Sequence, residues 1–362
     1  MIINNNIFIP LILLVMIGGT LHILSFGNCL QDDAYIGLRY SRNLADGAGL
    51  VFNRNERVEG YTNFLWILLG AFPFLTGIDP VVYLRILGVI SALLAACAAG
   101  RLAALLSGGS VIASAVSALL VASMPFAMAE ASMGLETLLF TFFVIIAFAR
   151  CIEEGQDLSR KGYLSGAFMA MGALTRPEGY GVALFILGID LWQLIRSDGS
   201  AVLRNQLIQR WCVFGIASLS HLFFRYFYYG DIVPNTFHAK VGGGINSLER
   251  GFRYLVKYIS DVILLAVFSF MSALLMLIKG SRFQRRLTIL FTVFMICYPW
   301  ICGLCWRRLQ AHSPILRIAI SCHGRFFRFR SCFCIPIEQR KTVEDGCFSS
   351  SGADSCSAHR LW

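Results

Sequence analysis

Residues 163–195 read YLSGAFMAMGALTRPEGYGVALFILGIDLWQLI. Apart from one short interruption the run is apolar, and it is longer than the roughly 20 residues a single helix needs to cross a bilayer core. The interruption is Thr175-Arg176-Pro177-Glu178-Gly179. A proline cannot continue a helix interior and charges avoid lipid, so the stretch predicts two helices meeting at a polar break. Apolar runs of similar character occur around 7–26, 61–77, 86–106, 111–129, 133–150, 211–228, 262–278 and 287–304. Composition agrees: of 362 residues 57% are hydrophobic and 14% charged, and mean hydropathy is +0.66. A soluble domain carries roughly 25% charged residues. These values exclude a soluble globule, a disordered chain, a collagen and a coiled coil. The predicted fold is all-α, a polytopic transmembrane helix bundle.

The net charge of +10 does not predict nucleic-acid binding. Basic residues gather between apolar runs, at Arg196/Arg204/Arg210 and Lys279/Arg282/Arg285/Arg286, as in cytoplasmic membrane loops. The basic stretches 151–162, 196–210 and 279–286 are therefore expected in the cytoplasm. The polar loops about 27–60 and 229–261 are expected outside. The first run follows Met1-Ile2-Ile3-Asn4-Asn5-Asn6, which has no positive n-region, and reads as a signal anchor rather than a cleaved signal. Placing both loops outside requires one apolar segment not to cross. The candidates are 61–77, which is short, and 111–129, which leads into Pro125.

The first loop opens with Asp32-Asp33 just after an apolar run, followed by Ala34 to Leu44. Helical spacing places Ile36, Tyr40 and Asn43 or Leu44 on one face with Arg39 and Arg42 beside it, as in a short helix on a membrane surface. Gly47-Ala48-Gly49-Leu50-Val51-Phe52-Asn53 and Glu56-Arg57-Val58-Glu59-Gly60-Tyr61-Thr62-Asn63-Phe64-Leu65-Trp66 complete the loop. The two acids have two readings. They can cap the surface helix, or one can act as a general base on an acceptor hydroxyl at the membrane–water border.

From Asp32 to Trp66 the chain resembles the first extracytoplasmic loop of bacterial polyprenyl-phosphate-dependent glycosyltransferases of superfamily C, nearest the terminal arabinofuranosyltransferase branch. The shared pattern is the Asp pair, the Arg39-x-x-Arg42-Asn43 helix, Gly49 to Asn53, and Glu56 to Trp66. Three further stretches are similar to elements of that family: Met133-Gly134-Leu135-Glu136-Thr137, Leu174-Thr175-Arg176-Pro177-Glu178-Gly179, and Tyr228 to Lys240, which carries Asn235 and His238. The resemblance covers about residues 10–300. It implies a membrane bundle at the bacterial inner (cytoplasmic) membrane, with catalytic extracytoplasmic loops. The implied activity is sugar transfer from a polyprenyl-phosphate donor to a cell-envelope glycan or lipid acceptor, with inversion. Asp32 is implied as the base, with Asp33 assisting; Asp33 as the base stays open.

Such a reaction releases an anionic phosphate, and cations near it would stabilise the leaving group. Arg176, an ionisable group in an apolar run, is the leading phosphate candidate; alternatively it partners Glu178 at the break. Lys240 and His238 are further candidates, or residues of a solvated loop. Glu136 is either a sugar ligand or the acid of a helix N-terminus. Glu59 and Asn63 either bind sugar hydroxyls or brace the loop. Arg39, Arg42, Glu178 and Asn235 complete the candidate substrate-binding set. The Asp pair can ligate a divalent cation, but no metal or other cofactor is predicted.

Beyond about residue 304 the character changes. Residues 301–362 hold seven of the twelve cysteines, eight arginines and one lysine, and half of the net charge. Their Cys and His spacing fits no zinc pattern. A change of reading frame accounts for the stretch. The family continues with Gly-Gly-Asp and Arg-Phe-Phe-x-x-Pro elements. Synonymous codons for Cys305 to Leu309, read one nucleotide on, give Val-Gly-Gly-Asp. Those for Ser313 to Ile320, in the same frame, give Ala-Arg-Phe-Phe-Val-Leu-Pro. The predicted organisation is a transmembrane transferase module over 1–304 and an anomalous, unfolded tail over 305–362. Two other readings remain: a transporter or flippase of a lipid-linked substrate, since broken helices and buried charges suit that class, and an inactive, truncated relative.

Overall fold

The computed structural model describes residues 30–232, except 158 and 197–200, together with 234, 235 and a few isolated positions. The predicted spans 7–26, 262–278 and 287–304, most of the second loop, and the tail 305–362 lie outside the described residues.

Among the described residues every regular element is a helix, and the chain is an all-α membrane helix bundle. The helices are α1 (Asp32–Ala45), α2 (Phe64–Thr76), α3 (Pro80–Leu106), α4 (Val111–Ser123), α5 (Pro125–Ser132), α6 (Thr137–Gln156), α7 (Tyr163–Thr175), α8 (Glu178–Arg196) and α9 (Ala201–Tyr229). By length and composition α3, α8 and α9 are able to cross a bilayer.

Small residues line most of the buried face of α3, and large apolar residues face outward on α3 and α9. On α3 the buried positions include Gly88, Ser91, Ala92, Ala95, Ala96, Ala98 and Gly100. Its Val82, Ile86, Ile90 and Leu94 point outward, as do Ile216, Leu219, Phe223 and Phe227 of α9. Lipid is as apolar as leucine, so membrane helices associate by close backbone approach through small residues. At Gly88 a Cβ would collide with the Ala131 carbonyl, and at Gly166 with the Arg210 carbonyl.

Helix starts and stops follow local chemistry. Asp79 and Ser110 cap α3 and α4 by accepting hydrogen bonds from Val82 N and Ala113 N. Pro125 separates α4 from α5 by forcing Met124 into an extended conformation. Pro177 does the same to Arg176 (φ −150°, ψ 140°), which ends α7 after Thr175. The two-helix reading of 163–195 therefore holds. Its turn is tight enough that a Cβ on Gly179 would overlap the Ala173 backbone.

The pairings set the course of the chain. Parallel α3 and α6 share a near end, where Leu84 packs with Leu139, and a far end, where Arg101 pairs with Glu153. α4 with α5 returns to the near end, and α7, α8 and α9 follow in alternation. α2 starts at Asn63, bonded to Glu136 at the near end, and three residues after its last one α3 starts from that same end. Helix α2 thus does not carry the chain across, and of the two candidates 61–77 is the non-crossing segment.

Two sequence expectations are corrected. The basic stretch expected as a cytoplasmic loop is helical from Ala201, where α9 begins, and its Arg210 is buried. The buried face of α1 is Ala34, Gly37, Leu38, Tyr40 and Ser41, while Ile36 is exposed. The reason is a close crossing with α2, where Gly37 meets Ile67 and the Ser41 hydroxyl donates to the Ile67 carbonyl at 2.8 Å. That contact needs small residues, not an apolar stripe.

Candidate functional site

The near end is built around the turn between α5 and α6. Gly134 adopts φ +77°, which favours glycine. Two bonds clasp this turn: Gln31 N donates to the Met133 carbonyl at 3.1 Å, and Trp66 Nε1 donates to the Gly134 carbonyl at 3.1 Å. Both ends of the first loop are thereby fixed to the start of α6. Asp32 and Asp33 occupy the first turn of α1 with exposed side chains. The cap position itself is Gln31, and its side chain makes no capping bond. The acids therefore favour the helix through its N-terminal dipole and keep their carboxylates open to solvent.

Below them lies a buried ionic group. Arg176 Nη1 donates to Glu136 Oε1 at 2.8 Å, and its Nη2 donates to Glu178 Oε1 at 3.1 Å. Asn63 Nδ2 donates to Glu136 Oε2 at 2.9 Å. Beside it the Thr137 hydroxyl donates to Glu130 Oε2 at 2.9 Å. The three helix termini that carry these residues converge because the Pro177 break, the Gly134 turn and the start of α2 share one end of the bundle. Arg176 is shared by two carboxylates, so its charge is more than neutralised. As it stands the group braces the break, and a phosphate would have to displace a carboxylate to reach the guanidinium.

Arg39 and Asn43 shape the loop itself. Arg39 donates to the Phe52 carbonyl at 2.9 Å and to Asn53 Oδ1 at 3.1 Å, and its guanidinium lies 4.3 Å from the Phe52 ring centre. Asn43 donates to the carbonyls of Val51 and Phe52. Arg42 is exposed and sits 3.9 Å from Asp46. These are bracing contacts; exposed pairs of the Arg42 kind contribute little.

The first loop also reaches α9. Arg225 Nε donates to Glu59 Oε2 at 2.8 Å. Burial pushes the Glu59 carboxyl up from 4.5 to about 6, although the Arg225 guanidinium pulls it down. The Tyr61 and Tyr229 hydroxyls are 3.0 Å apart, and Tyr229 donates to the Leu50 carbonyl. Burial pushes the Tyr61 hydroxyl up, so it stays protonated. Asn235 has an exposed side chain, and its backbone N–H donates to the Glu59 carbonyl at 3.0 Å. The start of the second loop thus meets the first. His238 and Lys240 lie outside the described residues.

Of the predicted residues the structure brings together Asn63, Glu136, Arg176 and Glu178 in one group. It joins Glu59 to the backbone of Asn235 in a second. Asp32 and Asp33 follow Gln31, whose backbone N–H bonds the Met133 carbonyl in the turn leading to Glu136. Sequence reasoning missed Glu130, Arg225 and His221. The signal was present for Arg225 and His221, because both interrupt the apolar run 211–228, and an ionisable residue in such a run points to function.

In comparisons with known proteins the chain is 29% identical over 247 residues to the terminal beta-(1->2)-arabinofuranosyltransferase of Mycobacterium tuberculosis. The match covers 63% of this chain and 37% of that protein, so the chain spans little more than a third of its relative's length. No family model matches the chain, and no solved structure matches it. The likeness supports a glycosyltransferase-type relationship at family level.

Proposed function

We propose that the chain is a membrane glycosyltransferase that moves a sugar from a polyprenyl-phosphate donor to a cell-envelope glycan or lipid acceptor. The observation that carries this reading is the meeting of the first polar loop with the start of the second, at Asn235, on one end of an apolar bundle, with two exposed carboxylates in the first loop. The membrane is the bacterial cytoplasmic membrane and the site faces outward. The transferase module is residues 1–304, and the tail 305–362 has no part in the reaction.

Asp32 is the general base. It takes the proton of an acceptor hydroxyl, whose oxygen forms a bond to the anomeric carbon. The bond from that carbon to the phosphate oxygen breaks, and the electron pair leaves with the polyprenyl phosphate. Attack opposite the leaving group inverts the anomeric centre. Asp33 orients the acceptor. Arg39, Arg42 and Asn235 line the loop side, with His238 and Lys240 further along the second loop. Glu136, Asn63 and Glu59 present oxygens and an amide to sugar hydroxyls, with Arg176 and Glu178 holding Glu136 in place. Solvent-open carboxylates suit a base that must reach a large acceptor.

The test uses membranes carrying the full chain, a labelled polyprenyl-phosphate sugar and cell-envelope acceptor. Asp32→Ala is expected to lower transfer by about 10²–10⁴-fold, the range for loss of a general base. Unchanged transfer in Asp32→Ala would remove Asp32 from the base role, and a loss confined to Asp33→Ala would move the role to Asp33.

A further inference from the structure

Beneath the Glu59–Arg225 pair, polar groups descend one face of α9 at helical spacing: Arg225, His221 and Ser218. Tyr180, near the start of α8, joins them. Arg225 Nη2 and both ring nitrogens of His221 are buried with no hydrogen-bond partner, and the buried Ser218 and Tyr180 hydroxyls have none beyond each other. The group is compact. Tyr180 lies beside Ser218 and within reach of the Arg225 charge, and the His221 ring packs at 4.5 Å on Phe64. Buried polar groups are almost always satisfied, and an orphaned one destabilises the fold. The unmet donors of Arg225 and His221, flanked by two hydroxyls that have only each other, therefore call for a partner.

Their chemistry says what the partner is. Each can donate: the guanidinium, an imidazole N–H and two hydroxyls. The carboxylate that faces them, Glu59, engages Arg225 through Nε and leaves the Nη2 edge unmet. A group that satisfies all four at once must be rich in acceptors and poor in donors. We propose that Tyr180, Ser218, His221 and Arg225 form an oxyanion subsite for a phosphate group, seated between α8 and α9 under the first loop. The assignment deepens the proposed function, on which it rests for the identity of the lipid-linked phosphate. It differs from the Arg176 expectation in a physical respect. Arg176 already holds two carboxylates, whereas the Nη2 edge of Arg225 and the His221 ring are unspent. Ser218 lies about 10 Å further along the helix axis than Arg225, so the subsite reaches inward from the loops, where a lipid-borne phosphate arrives with its tail among the helices.

Binding of farnesyl phosphate to the full chain in detergent tests this, with inorganic phosphate as a second arm. The variant combines Tyr180→Phe, Ser218→Ala and His221→Phe, which keeps the ring against Phe64 and removes three of the four polar side chains. Its melting temperature is expected to equal or exceed that of the parent, because orphaned groups are lost. Its affinity for farnesyl phosphate is expected to fall at least tenfold. Competition by inorganic phosphate in the parent supports recognition of the phosphate itself. Competition confined to farnesyl phosphate supports a site that needs the lipid as well. Unchanged affinity in the variant overturns the subsite, as does a lower melting temperature, which would mark the cluster as a water-filled structural network. Binding that follows this pattern without sugar transfer would remove the transferase reading and leave the subsite standing.

Discussion

Two side chains test how charge is handled. Glu59 holds its proton more tightly folded than unfolded, since burial raises its carboxyl from 4.5 to about 6. Unfolding releases that proton between these values. The group therefore makes stability fall as pH rises from about 4.5 to about 6, with no further change above. Thermal melts from pH 4.5 to 7 are expected to show this slope in the parent and not in Glu59→Gln; identical slopes would exclude Glu59 as the source. Arg210 is the counterpart at the far end. It donates to Glu154 at 2.9 Å and to the Ser165 hydroxyl at 2.8 Å, and it pairs with Asp190, which also accepts from Trp211 Nε1 at 2.8 Å. Arg210→Met strands two buried carboxylates and is expected to cost about 3–5 kcal/mol. Adding Glu154→Gln and Asp190→Asn should restore most of the melting temperature, and a triple variant as unstable as the single one would show that charge is not the cause. This residue also shows why the stretch 196–210 was illegible. The partners that neutralise Arg210 lie 20 and 56 residues away, so a local count of basic residues reads it as a solvated charge.

At the scale of elements, the Pro177 break and the first loop were legible because both are written in adjacent residues. Proline dictates the extended Arg176, and the Asp32 to Trp66 pattern is contiguous. The buried face of α1 was not legible, since it is selected by how closely α2 crosses it at Gly37 and Ser41. The same logic gives a prediction for α7 and α9. Gly166 has no room for a Cβ beside the Arg210 carbonyl. Gly166→Ala is expected to push the two helices apart and destabilise by about 1–3 kcal/mol, read as a lower melting temperature in detergent. Gly155, with open space around it, serves as the control, and equal losses at both positions would show that helix spacing is not the cause.

For the whole molecule, the direction of each crossing was beyond the sequence, because apolar composition is the same whether a helix crosses or turns back. The bonds from Asn63 to Glu136 and from Trp66 to Gly134 hold the start of α2 at the near end, and α3 leaves from that same end at Pro80. Charge then suggests which end faces the cytoplasm. Arg101, Arg150 and Arg160 all converge on Glu153 at the far end, an excess of cations expected inside. In a background with its native cysteines replaced, single cysteines at Asn55 and Ile78 should react with a membrane-impermeant maleimide in intact cells. One at Ser159 should react only after permeabilisation. Labelling of Ile78 from the inside alone would make α2 a true crossing.

The parallel course of α3 and α6 also fixes a timetable. At a synthesis rate of about 5–20 residues per second, Arg101 waits roughly 3–10 s for Glu153, 52 residues later. Glu59 waits about 8–33 s for Arg225, 166 residues on. During that interval the first loop has left the ribosome without the helix that anchors it, and among the described residues the Glu59–Arg225 contact at the near end waits longer than the Arg101–Glu153 contact at the far end.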